Sequence, residues 1–586
     1  MSTISETERD LSLPLVIGVT GHRDLRPQDR DQLKTVVRQI IEGLSDDFPH
    51  TPIIVLSTLA EGADRLVAEV ALDLGLDLIA PLPMPREVYA NDFSTAVSRE
   101  EFEQLLKKAR CWFELPIVGA TRQEIEAKGP ARNLQYEHAG VYLVRHSHLL
   151  IALWDGVESH SMGGTCEVIK FQLEGVPQSY LPGASAIDSP ETGPVYHVVT
   201  PRRSKQDVSG EPFQCHQLFP AGYLGKADRF SRICNRIDEL NRDIVEQTPA
   251  LTSALERSRE DLFPQAEASR LNSMHQSRRV QFALADVLAQ RFQYLTQRTL
   301  KQLFVLVFLA AIAFDLYAEL FHERHWILFI YVALVFGAYL WADRRAEKRN
   351  YQNKYQDYRA LAEGMRVQFF WGLAQLEASV DDHYLRKQRS ELDWICSAIR
   401  VWNLPTVANQ QKDVSQVSEG EKLGHVLKYW IQNQSRYFTE AARRENHRLE
   451  KFEPYIRWLL RFGLLVALLM ALVLLVPHPW HEELHQLLSR HMIRGVLLTL
   501  VSLLPIAAAL LHAFSEKSAL SEHSKRYSRM SVLFANAQNR VSAMLSKSEF
   551  GQARNLIEEL GREALAENGD WVILHRERPL EVPHAG

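Results

Sequence analysis

Four stretches of this chain carry apolar residues on every face of a helix, and the rest alternates apolar with polar positions. Residues 303–321 hold two charges, Asp315 and Glu319, while 326–342, 462–480 and 495–515 hold none. A helix rises about 1.5 Å per residue, so about 20 residues cross a hydrocarbon core of roughly 30 Å. The stretches at 462–480 and 495–515 reach that length, and 326–342 is slightly short. A helix of a soluble core normally keeps a polar stripe, which these runs lack, so lipid is the expected surrounding. Each close pair then forms a membrane hairpin, with Asp315 and Glu319 turned away from lipid. The other reading of the same runs is four buried helices of a soluble core.

The flanks favour the membrane. Arg298, Lys301, Arg344, Arg345, Lys348 and Arg349 crowd the outer ends of the first pair, and Arg457, Arg461 and Lys517 those of the second. The hairpin loops are poorer, with Arg324 in one and Arg490 and Arg494 in the other. The bias of Lys and Arg towards the cytoplasm places both termini and the middle segment there, in a multi-pass membrane protein. Trp326, Trp341, Trp458 and Trp480 sit near the ends of the stretches, where indoles favour the headgroup layer.

Ahead of these stretches the pattern is different. Short apolar runs at 15–19, 53–56, 78–82, 149–154 and 195–200 alternate with helical periodicity at 30–44, 64–74, 100–109, 136–145 and 165–174. Continuous apolar strands between helices predict a parallel sheet covered on both faces. The expected fold is thus an α/β Rossmann-like N-terminal domain followed by a mainly α-helical membrane region with two transmembrane helical hairpins. The segments are 1–205 (α/β domain), 206–300 (helical linker), 301–345 (first hairpin), 346–455 (cytoplasmic helices), 456–516 (second hairpin) and 517–586 (helical tail). Within them 227–247, 265–301, 344–376, 423–453 and 516–545 read as helices, and 403–419 as a loop. Tyr351, Tyr355 and Tyr358 share one helix face, a spacing that suits a packed interface. The two membrane units resemble a weak repeat, their exit helices carrying Tyr358-Arg359 and Arg526-Tyr527. Chance similarity gives the same pattern.

Composition narrows the classes. The 586 residues exceed one domain, and a net charge of −5 argues against a general nucleic-acid binder. Mean hydropathy of −0.20 makes the membrane part a minority. Cys111, Cys166, Cys215, Cys234 and Cys396 lack the spacing of metal ligands or a redox pair and read as reduced thiols. The polar, acidic start at 5–10 has no apolar segment typical of a secretory leader.

In open α/β sheets ligands bind beyond the carboxyl ends of the strands. Three strands end informatively. The first ends Gly18-Val19-Thr20-Gly21-His22-Arg23, where Gly21 admits a ligand and Arg23 can pair with phosphate. The second ends Ser57-Thr58-Leu59-Ala60-Glu61-Gly62-Ala63-Asp64-Arg65, a small-residue turn that opens a helix. The run at 149–154 ends in Asp155-Gly156, then Met162-Gly163-Gly164-Thr165-Cys166-Glu167, again a glycine turn at a helix start. Together they point to a nucleotide-like ligand, although glycine turns close many strands. His22 reads equally as a satisfied turn residue.

At these residues the first 200 positions resemble a SLOG domain, the superfamily of LOG phosphoribohydrolases and DprA-like proteins. The resemblance rests on V-T-G-H-R, on L-A-E-G-A-D-R and on L-I-A-L-W-D-G followed by G-G-T. It implies binding of a nucleotide or NAD-derived signal across the strand ends, with no cofactor. Enzymatic LOG members carry P-G-G-x-G-T-x-x-E. Here Met162 replaces the proline, the glycine loop is shortened, and Val168 stands where the catalytic glutamate falls, which favours sensing over hydrolysis. Glu167 remains a candidate for a ribose hydroxyl. The tract at 355–371, containing Tyr358-Arg359-Ala360-Leu361-Ala362-Glu363, is similar to the helix after a SLATT membrane hairpin. Such pairings occur in bacterial antiphage immunity, including CBASS, where a nucleotide signal makes the effector oligomerise and permeabilise the inner membrane. Two other functions stay open. One is a membrane-anchored nucleotide N-glycosidase with Glu61, Asp64 or Glu167 as acid or base. The other is a nucleotide-regulated ion channel, as the SLOG-like regions of melastatin-type TRP channels suggest. Asp315 suits a channel, or else reaches the headgroups from a helix end.

Overall fold

The computed structural model describes residues 11–159, 161–181, 190–205, 208–221, 226–342, 350–385, 389–405, 417–475 and 491–577. Two compact units emerge, one of residues 1–287 with 361–418, the other of 288–360 with 419–586.

The first unit holds a seven-stranded sheet ordered β4-β3-β2-β1-β5-β6-β7. Its strands are β1 (Leu15–Gly21), β2 (Ile53–Leu56), β3 (Asp77–Leu82), β4 (Cys111–Glu114), β5 (Leu149–Trp154), β6 (Val195–Val199) and β7 (Cys215–Leu218). All neighbours pair in parallel except β6 and β7. The central strands are apolar because helices cover both faces, and Leu149 to Leu153 are wholly buried. Two edge strands were not anticipated. β4 has four residues, Cys111-Trp112-Phe113-Glu114, of which only Cys111 is buried, and β7 is half-exposed, so both are short edges.

Helix α1 (Arg30–Asp47), α2 (Ala63–Asp73), α3 (Pro130–His146) and α4 (Thr165–Glu174) fall where helical periodicity is expected, α3 starting several residues early behind Gly129-Pro130. Helix α5 (Lys226–Gln247) joins the sheet's base, with the Asn241 side chain bonding both the Leu13 N–H (2.8 Å) and the Leu13 carbonyl (2.9 Å). Helix α6 (Arg389–Trp402) was not foreseen, and its Arg400 is nearly buried. Arg400 Nε donates to Asp381 at 2.6 Å, Nη1 to the Arg145 carbonyl at 2.9 Å and Nη2 to Glu191 at 2.9 Å. A buried guanidinium is tolerated because its N–H groups meet charged or carbonyl oxygens.

The second unit is helical. Helix α7 (Ser273–Asp315) ends in a wide turn at Leu316–Leu320, followed by α8 (Trp326–Ala342), α9 (Tyr351–Leu373), α10 (Asn433–Leu475), α11 (His491–Lys517), α12 (Leu520–Ser546) and α13 (Phe550–Arg576). α7 and α9 begin or end in the first unit. The expected continuous helix at 265–301 is interrupted between Ala268 and Ser273, and that at 516–545 breaks where Ala519 adopts φ +51°. The junctions at 343–349 and 476–490 lie outside the described residues.

Packing in this unit is antiparallel. On α10, Phe438 stacks on Phe534, Thr439 bonds Ser531, and Phe452 stacks on Phe514, so α10 runs against α12 and then α11. The tyrosine face expected on α9 is an interface: Tyr351 and Tyr358 contact Phe292, and the Tyr355 hydroxyl accepts from Gln293 at 3.1 Å. Ser273–Leu320, Glu419–Leu472 and Met492–Ser546 each contain a stretch long and apolar enough to cross a membrane, and Trp326–Leu340 is a shorter apolar helix. Only 17%, 11% and 6% of those three stretches is buried.

Candidate functional site

The chain fills the sheet from β1 out to β4 and then returns to lay β5 on the other side of β1. A crevice opens beyond the carboxyl ends of strands at such a reversal. Here it is a cleft of about 280 Å³ lined by residues from the ends of β1, β2 and β5, from α3 and from the start of α4. Seven anticipated residues line it: Gly21, His22, Arg23, Asp64, Gly163, Gly164 and Thr165.

The loops are tied to one another. The His22 N–H donates to the Leu153 carbonyl (3.0 Å), and the Ala63 N–H to the His22 carbonyl (3.0 Å). Gly62 has φ +85°, and a side chain there would strike the His22 and Arg23 carbonyls. Gly21 is pressed against Ala63 and Leu153, so its missing side chain makes room for protein, not for a ligand. Gly163, at φ +69°, lies against α3, where a Cβ would sit 2.7 Å from Tyr136 Cβ. Gly164 opens α4 without a side-chain cap. The first-turn N–H groups of that helix lack intrahelical acceptors, which suits an anion.

His22 is buried, and the Asp155 N–H donates to its Nε2 at 3.0 Å. That nitrogen is therefore unprotonated and the proton sits on Nδ1. Burial pushes His22 below its usual range and outweighs the opposing pull of Asp155. The 3.1 Å approach of Asp155 Oδ1 to the same nitrogen is thus a contact with a neutral ring. Asp155 itself lies behind the cleft wall, accepting from the Val157 N–H at 3.0 Å.

Asp64 is buried, with Oδ2 accepting from Thr58 Oγ1 at 2.7 Å. Burial raises its pKa to about 6, against the hydrogen bonds and the cations Arg23 and Arg65. Arg23 is exposed at the mouth, 4.9 Å above the Tyr136 ring, and makes no ion pair among the described residues. Tyr136 donates to Asp92, which Arg132 clamps through Nε (2.9 Å) and Nη2 (2.7 Å). The platform under Arg23 is thereby held by a buried ion pair.

The remaining anticipated residues hold the scaffold. Ser57 Oγ accepts from the Leu59 N–H at 3.2 Å. Arg65 donates to the Leu59 carbonyl (3.1 Å) and to Ser98 (2.8 and 2.7 Å), with Phe93 4.4 Å from its guanidinium. Glu61 accepts from the Ser94 N–H and hydroxyl, both at 2.9 Å, and from Ser98. Burial alone would raise its pKa, but these bonds keep it lowered. Glu167 accepts from the Gly163 N–H at 2.5 Å and so fastens the glycine turn. Val168 lines the cleft as an apolar residue.

Tyr136, Thr58 and Arg202 line the cleft unforeseen. Arg202 follows β6, so the strand-end argument applied to a fourth strand finds it. It is balanced by Asp24 (2.9 Å) and Asp155 (3.8 Å), whereas Arg23 makes no ion pair among the described residues. Among the described residues no group of three His, Cys, Asp or Glu is placed to hold a metal ion. No protein-family model matches this chain, and no curated protein matches it either.

Proposed function

We propose that the protein is a ligand-gated membrane effector. A nucleotide or NAD-derived signal binds the cleft, and the apolar helices, as two hairpins in a homo-oligomer, permeabilise the inner membrane. The termini are then cytoplasmic, and the setting implied by the resemblance to SLOG and SLATT proteins is antiphage immunity. The observation that carries this reading is Arg23, a guanidinium over an aromatic platform with no ion pair among the described residues, sharing one cleft with the uncapped start of α4. That arrangement suits a phosphate, which takes charge-assisted bonds from both. The apolar residue at Val168 and the engagement of Glu61 and Glu167 elsewhere support binding without turnover.

Titration of the full-length protein in detergent with ADP-ribose, NAD and cyclic dinucleotides tests the reading. Arg23→Ala is expected to weaken the ligand that binds by roughly ten- to a hundred-fold, corresponding to about 1.5–3 kcal/mol for a charged hydrogen bond. Equal affinity in the variant contradicts the site. One observation favours the N-glycosidase alternative: Asp64, with a pKa of about 6, has the protonation behaviour of a general acid. Release of free base, seen by chromatography and abolished in Asp64→Asn, would establish that alternative.

A further inference from the structure

We propose that Asp315, Ser502 and Thr499 form a binding site for a monovalent cation within the membrane part, on the path that cations take when the effector conducts. The proposal rests on the reading that α7 and α11 cross the bilayer. Their placement comes from three contacts. Phe304 meets Phe514 with ring centroids 5.6 Å apart, Asp315 Oδ2 accepts from Ser502 Oγ at 2.6 Å, and a Cβ on Gly495 would lie 2.6 Å from the Glu319 carbonyl. As the number rises along α7 it falls along α11, so the two helices run antiparallel and in contact from 304 to 320 and from 514 to 495.

This pairing decides where Asp315 points. Ser502 lies seven residues inside the uncharged stretch 495–515, which at ~1.5 Å per residue is about 10 Å from its start. A carboxylate bonded to that hydroxyl faces a neighbouring helix at depth and does not reach for headgroups at the helix end. Intramembrane carboxylates turned towards a bundle interior commonly serve ion or proton pathways.

The other groups are oxygens. Ser502 Oγ has one hydrogen, shared among Asp315 and the Leu498 and Thr499 carbonyls of its own helix, and its lone pairs remain available. Thr499, one turn earlier on the same face, has a buried hydroxyl without a hydrogen-bond partner. A buried hydroxyl left unpaired costs free energy unless something meets it. One carboxylate with two hydroxyls offers a single negative charge and hard oxygen donors, which suits a partly hydrated monovalent cation such as Na⁺ or K⁺ better than Ca²⁺, whose sites gather several carboxylates. The tight approach at Gly495 holds the helices in register around it.

Full-length protein in liposomes is treated with a hydrophobic carbodiimide, which modifies protonated carboxyls in lipid, and labelling of the Asp315 peptide is read by mass spectrometry. The reaction is run in NaCl, KCl or choline chloride at equal ionic strength. Na⁺ or K⁺ is expected to slow labelling several-fold relative to choline, and the double variant Thr499→Val, Ser502→Ala to lose that protection while still being labelled. Equal labelling in all three salts, or none in any, would show a hydrogen bond that only clamps two helices and would overturn the proposal. The underlying reading fails differently: carbonate would then extract the protein from the liposomes, and the site would fall with it.

Discussion

The two units treat the same residue types in opposite ways. In the sheet-bearing unit Leu149 to Leu153 are fully buried, whereas in the helical unit Phe329 is 74% exposed, Leu464 71% and Val305 57%. Charge is reversed as well. The first unit buries Arg400 and Asp381 against each other, while in the apolar stretches of the second the carboxylate of Asp315 meets a serine of a neighbouring helix. The difference is the one expected of units built for different solvents. Water rewards burial of apolar area in one unit; in a bilayer, as proposed for the other, lipid would remove that drive and leave close packing and polar contacts to hold helices together.

The largest expected effect breaks the water-soluble side of this contrast. Arg400→Ala leaves buried Asp381 without its nearest cation, with only Arg145 remaining at 3.8 Å, at a cost towards the lower end of roughly 3–5 kcal/mol. Thermal unfolding of full-length protein in detergent should show the sheet-bearing unit melting earlier, with membrane extraction unchanged. An unshifted transition would mean the cluster is not a buried network.

A slightly smaller effect probes the lipid side. Leu469 is 53% exposed in the middle of an uncharged run, so Leu469→Arg should raise the cost of insertion by about 2.5–3.5 kcal/mol. A glycosylation-mapped insertion assay reads this directly, and unchanged insertion would place that face against water.

The third effect sharpens the cleft. Asp64 titrates near pH 6 in the free protein, and an anion beside it raises that value further, so binding takes up a proton. Affinity for a phosphate ligand is therefore highest below about pH 6 and falls as pH rises through it, by several-fold. Asp64→Asn should flatten the profile at the tight end. A profile that rises with pH would place the phosphate away from Asp64.

Much of this was legible from the residues. The apolar runs marked five strands, and the residues after β1 and before α4 converge on one cleft because strand ends in a parallel sheet share an edge. What escaped has physical causes. β4 and β7 are edges of only four residues, too short for a pattern to stand out, and α6 lies far along the chain from the rest of the unit it joins. Residue type alone did not separate ligand contacts from scaffold. Gly21 is small for Ala63 and Leu153, Arg65 is held by Ser98, and Glu167 by its own turn, which only three-dimensional neighbours reveal. Tyr136 came from mid-helix, where no strand-end rule looks.

The central claim is that occupancy of the cleft opens the membrane. The direct measurement is dye or ion release from proteoliposomes of full-length protein, with the nucleotide that binds best titrated from outside against inserted wild type and Arg23→Ala. Ligand-dependent release by wild type, shifted ten- to a hundred-fold higher in ligand concentration by Arg23→Ala at equal membrane insertion, is the predicted result. Release that ignores the ligand, or a variant whose curve overlays wild type, would contradict the account.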